Sequence, residues 1–168
     1  TNPKSLEDDT YRYISKWYHA AIMEMTYSEN FSTKPQWIAK KLGITATEAK
    51  LAVERLFSLN LLTKKDGKVI KTNNSLQTSD YHITTPALKK KQIEIRQKAI
   101  ESIENDPISE RSMTTVSMNI DPELIDQAKD MIDDFNDFLC EFLESKNRKQ
   151  VYCLEIGLFP LQRLSLIH

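Results

Sequence analysis

The run Leu61-Leu62-Thr63-Lys64-Lys65-Asp66-Gly67-Lys68-Val69-Ile70-Lys71 decides how the chain reads. Two short strand-like stretches flank Asp-Gly, a dipeptide that tolerates the positive φ angles of a two-residue hairpin turn. Upstream, Thr45 is a good cap for a helix over 46–59, in which Ala49, Ala52, Val53 and Leu56 make one apolar stripe. Gly43 stops a shorter helix that starts at Pro35 and carries Trp37, Ile38 and Leu42, after a loop over 31–34. Before that loop, Tyr11, Ile14, Tyr18, Ala21, Ile22 and Met25 recur at three- and four-residue steps, predicting one helix over 5–27, with Ser5 and Asp8 as a capping box. Helix, short helix, glycine turn, helix and hairpin is the order of a winged helix-turn-helix, predicted here for residues 1–74.

Downstream, the polar stretch 72–86 reads as a connection. A helix over 87–105 follows, with Leu88, Ile95, Ala99 and Ile103 on one stripe and Ile93 with Ile100 on another. So broad an apolar face predicts packing between two units, with 75–108 as the connecting segment. In the last part, 109–168, Thr114, Val116, Met118 and Ile120 alternate with polar residues as a half-buried strand does. Asp121 and Pro122 open a helix to Ser145 whose apolar positions are Leu124, Ile125, Ala128, Met131, Ile132, Phe135, Phe138, Leu139, Phe142 and Leu143. Tyr152, Leu154, Ile156 and Leu158 then alternate as a second strand, interrupted by Pro160. The chain therefore reads as α+β: a winged helix-turn-helix, a connecting helix and a small βαβ-like unit for dimerisation or sensing. Two strands under one long helix leave edges and apolar side chains uncovered, which predicts a homodimer.

Hydrophobic residues make up 40% and charged residues 28% of the 168, the balance of a globular protein. No apolar run approaches the roughly 20 residues of a membrane span, and no basic leader precedes an apolar stretch, so a cytoplasmic protein without a membrane partner is expected. Cys140 and Cys153 lie in apolar patterns without ligand spacing and read as buried thiols. The chain opens on Thr1 with acids at Glu7 to Asp9, as the later part of a longer protein would.

Net charge is −1, but residues 1–33, 34–74, 75–111 and 112–168 carry −2, +6, 0 and −5. One basic segment in a near-neutral chain suits a double-stranded DNA contact. The predicted nucleic-acid-binding residues are Lys34, Thr47, Lys50, Arg55, Lys64, Lys65, Lys68 and Lys71. Against this, the outward face of the 46–59 helix presents Thr47, Leu51, Glu54 and Ser58, and Glu54 repels phosphate. Leu51, Glu54 and Ser58 suit a protein contact at least as well.

Other constellations have plainer readings. Asp126, Asp130, Asp133, Asp134, Asp137, Glu141 and Glu144 follow the solvent face of a helix rather than a cation loop. His19, His82 and His168 have no ligand partners at suitable spacing, and Trp17, Tyr18, Trp37 and Phe57 read as core before they read as a pocket. Three glycines leave no room for a phosphate-binding or dinucleotide loop, and no nucleophile elbow occurs. Neither an enzyme nor a cofactor or metal is expected.

Four stretches carry a resemblance: Ile14-Ser15-Lys16-Trp17-Tyr18-His19; Trp37-Ile38-Ala39-Lys40-Lys41-Leu42-Gly43-Ile44; Ala49 to Leu62 around Glu54-Arg55-Leu56; and Ile156-Gly157-Leu158-Phe159-Pro160-Leu161. In these the chain is similar to an uncharacterised bacterial family of transcriptional-regulator-like proteins, a domain of unknown function described from predatory and fibre-degrading species. The resemblance implies a regulator with a further N-terminal region, and no established ligand, operator or reaction. The expected function is regulation through a winged helix that binds DNA by its basic wing. The alternatives are a protein-interaction or assembly module, or a ligand-sensing regulator, without direct DNA contact.

Overall fold

A computed structural model describes residues 3–74 and 85–163. The helix expected over 5–27 is two helices, α1 (Pro3–Ser15) and α2 (Tyr18–Met25). Because α1 already begins at Pro3, Ser5 lies inside the helix and not at its cap. At the break, the Trp17 N–H donates to Glu94 Oε2 at 3.2 Å, and Lys16 Nζ donates to Glu94 Oε1 at 3.0 Å. A carboxylate there satisfies an N–H that the new helix leaves without an acceptor, and it complements the positive end of the dipole. Trp17 itself keeps right-handed helical angles (φ −61°, ψ −32°).

Pro35 starts α3 (Pro35–Leu42), and Gly43 ends it in the left-handed region at φ 68°. α4 (Ala46–Ser58) begins with a full capping box: Thr45 Oγ1 accepts from the Glu48 N–H at 3.1 Å, and the Thr45 N–H donates to Glu48 Oε2 at 2.8 Å. Asn60 takes φ 56° after α4, and its carbonyl accepts from Thr72 Oγ1 and Asn74 Nδ2, which ties the end of the hairpin to its start. The hairpin is β1 (Leu62–Lys65) and β2 (Lys68–Lys71), antiparallel, with Lys65 opposite Lys68 and Leu62 opposite Lys71. Asp66 (φ 51°) and Gly67 (φ 74°) supply the two positive angles that the Asp-Gly pair predicted. Ile22, Ile38, Leu56 and Leu61 are fully buried, and Ala49 and Ala52 sit in the same core.

Thr85 Oγ1 accepts from the Leu88 N–H and caps α5 (Pro86–Asn105), which packs along α1. Leu88, Ile95 and Ala99 are half-buried, whereas Ile93, Ile100 and Ile103 are exposed. One compact unit comprises Thr1–Met113 with Arg148–Val151 and so includes α5; in it the Arg148 guanidinium lies 4.3 Å from the centre of the Tyr27 ring.

The second unit comprises Thr114–Asn147 and Tyr152–His168. Asp121 Oδ1 accepts from the Glu123 N–H, a 3-10 turn covers Pro122–Leu124, and α6 (Ile125–Glu144) follows. The strands expected at 114–120 and 152–158 are not formed among the described residues, whose only sheet is β1–β2. Alternation marks which side chains could share a face, but a strand also needs a neighbouring backbone, and period alone cannot supply one. Cys140 and Cys153 are both exposed, contrary to the expectation of buried thiols. On α6, Cys140 falls on the polar arc between Asn136 and Glu144, a phase that its apolar sequence neighbours hide. The described chain is thus α+β, with six α-helices and one two-stranded antiparallel sheet, and none of those helices is long and apolar enough to cross a membrane.

Candidate nucleic-acid interface

The hairpin carries four lysines within eight residues, Lys64, Lys65, Lys68 and Lys71. Lys65 and Lys68 are cross-strand partners beside the turn, so their side chains share one face, while Lys64 points to the other. All three are exposed, as are Lys34 at the start of α3 and Thr47 and Lys50 on α4. Among the described residues no carboxylate pairs with Lys34, Lys50, Lys64, Lys65 or Lys68. Lys71 differs: its ammonium lies 2.6 Å from Glu24 Oε1 and ties β2 to α2.

Arg55 also turns away from this surface. Its side chain is only 11% exposed, its Nε donates to Asp9 Oδ1 at 3.1 Å, and its Nη1 lies 3.0 Å from His19 Nε2. His19 is fully buried, with Nδ1 3.4 Å from the Lys16 carbonyl and its ring against Tyr13 and Tyr18. Burial, and then the positive charge of Arg55, hold the His19 pKa down to about 4. Asp9, Arg55 and His19 therefore form a structural chain linking α1, α4 and α2. Sequence reading missed it because the pairings join residues 36 and 46 positions apart.

On the outward stripe of α4, Leu51 is 48% exposed, and Thr47, Glu54 and Ser58 are exposed beside it. The structure thus brings the residues predicted for protein contact onto one open face. Lys50 lies at the edge of that face.

Trp17 and Tyr18, read from sequence as core, also edge an open cleft of about 250 Å³ lined in addition by Ile44, Glu48, Glu94 and Lys98. Lys98 Nζ sits 4.9 Å from the centre of the Trp17 ring and 2.8 Å from Glu101 Oε2. Glu94 holds Lys16 above the ordinary ammonium range by hydrogen bonding to it, and Glu48 closes the α4 cap. The charges around this cleft are spent on one another. Among the described residues no group of three His, Cys, Asp or Glu side chains is placed to hold a metal ion.

No curated protein and no solved structure matches the chain. A family described as "Domain of unknown function (DUF4423)" matches residues 2–161, nearly the whole length. The chain belongs to the DUF4423 family.

Proposed function

We propose that residues up to 74 form a winged helix that engages double-stranded DNA through phosphate contacts, in a protein that regulates rather than catalyses. In this reading α3, the Gly43 turn and α4 are the helix-turn-helix and β1–β2 is the wing. The observation that supports it best is Lys65 facing Lys68 across the hairpin with no carboxylate paired to either. Directly opposed like charges destabilise a hairpin, and an anion lying along that face removes the penalty. Lys34, Lys50 and Lys64 add charge to the same segment, while Arg55 and Lys71 serve the fold. With Arg55 withdrawn, the open face of α4 holds little that could read base edges, so this unit binds DNA with weak sequence preference.

A salt series of duplex binding tests the reading. Each phosphate that a lysine neutralises adds about 0.9 to the slope of log affinity against log salt, so Lys64→Ala, Lys65→Ala and Lys68→Ala together flatten it by about 2 to 3. Absence of duplex binding at low salt overturns it. The exposure of Leu51 favours a second reading, in which α4 docks on another protein and this fragment touches no DNA. Leu51→Ala separates the two, because it removes the apolar contact that the second reading needs and leaves the charge of the first reading's phosphate contacts unchanged.

A further inference from the structure

We propose that α6 pairs with α6 of a second copy of this chain through Met131, Phe135, Phe138 and Phe142. At 100° per residue the apolar positions of α6 divide into two neighbouring stripes. Ile125, Ala128, Ile132 and Leu139 make one, and all four are partly covered within the chain. Met131 (66% exposed), Phe135 (49%), Phe138 (67%) and Phe142 (66%) make the other, and α6 has no fully buried residue.

The open stripe has steps of four, three and four, and Leu124 lies seven before Met131. That is the spacing of a helix-packing seam, in which side chains of one helix insert between those of another at a shallow crossing angle. A second helix fits such a stripe as its occupant. An aromatic side chain carries roughly 150–250 Å². Three such side chains and Met131, half to two thirds exposed, with Leu124 on the same stripe, leave several hundred Å² of apolar surface open. Val116, Met118, Phe159 and Leu161 of this unit are exposed as well, and with a standard interface burying roughly 800 Å² per partner the open stripe supplies a large share of what pairing needs.

A second copy supplies what the seam needs. It presents the same helix with the same spacing, and two-fold pairing covers both faces at once. It also brings a second copy of 114–120, a stretch to which no backbone hydrogen bond is made among the described residues. The acids Asp126, Asp130, Asp133, Asp137, Glu141 and Glu144 lie on the opposite arc and stay in solvent. Their charge, within a net of −5 over 112–168, also disfavours an anionic membrane surface or nucleic acid as the occupant.

Sedimentation equilibrium of the whole chain at micromolar concentration tests this. The expected mass is twice 19.5 kDa, about 39 kDa. Phe138→Asp should return it to 19.5 kDa with helical circular dichroism unchanged, and Leu51→Asp should leave the dimer intact. A wild-type chain at 19.5 kDa throughout overturns the proposal, as does a dimer that Phe138→Asp does not weaken. Should Phe138→Asp fail to fold, the pair Phe135→Ala and Phe142→Ala introduces no charge and should raise the dissociation constant at least tenfold. An unchanged constant overturns the proposal.

Discussion

Arg55 Nη1 lies 3.0 Å from His19 Nε2, and because a guanidinium only donates, the imidazole nitrogen facing it must accept. The remaining ring hydrogen is then on Nδ1, which faces the Lys16 carbonyl. This contact sets the tautomer of His19 and, with Asp9, holds Arg55 off the surface of α4, while burial first and then the charge of Arg55 keep the ring neutral.

The pH dependence of stability follows. The folded pKa of His19 is down to about 4, below its ordinary 6.5, so between these values the unfolded chain binds a proton that the folded chain does not. The stabilisation is present above pH 6.5 and is lost as pH falls toward 4, for a total on the order of 3 kcal/mol. Thermal melts from pH 7.5 to 4.5 should show this fall. His19→Gln, which still offers Arg55 an acceptor but does not titrate in this range, should flatten it. An equally steep fall in the variant would place the titration elsewhere.

Removing the carboxylate at the start of α2 should be costly for one side chain. Glu94→Ala leaves the Trp17 N–H without its acceptor and Lys16 without its ion pair, and should lower unfolding free energy by about 1–2 kcal/mol. Glu94→Gln retains an acceptor for Trp17 and should cost less. Urea denaturation ranks the two, and equal losses would show that the ion pair, not the cap, dominates.

Lys68→Glu should separate folding from binding. Opposite Lys65 it replaces a like-charge pair by an ion pair and should stabilise the hairpin by roughly 0.2–1 kcal/mol. On the proposed function it should also weaken duplex binding more than Lys68→Ala does. Duplex affinity that holds while the melting temperature rises would remove the wing from the DNA contact.

Leu51→Asp should change stability by no more than about 0.5 kcal/mol, because the side chain is 48% exposed and stands outside the core cluster. A drop of several degrees in melting temperature would mean that Leu51 is covered in solution.

Sequence alone determined what is local. The Asp66-Gly67 turn, the Thr45 and Glu48 capping box, the Pro35 start and the Gly43 stop each depend on backbone preferences within a few residues, and each is formed. The apolar stripes of α4 and α6 were legible for the same reason, since helical period is a property of spacing. Tertiary structure decided everything that joins distant residues: Glu94 dividing one apolar period into α1 and α2, and Asp9 with His19 drawing Arg55 inward from a predicted contact surface. It also decided which stripe of α6 is covered and that Cys140 faces outward. A residue's period says which neighbours share its face, but whether that face meets water, a carboxylate or another helix depends on chain that is remote in sequence.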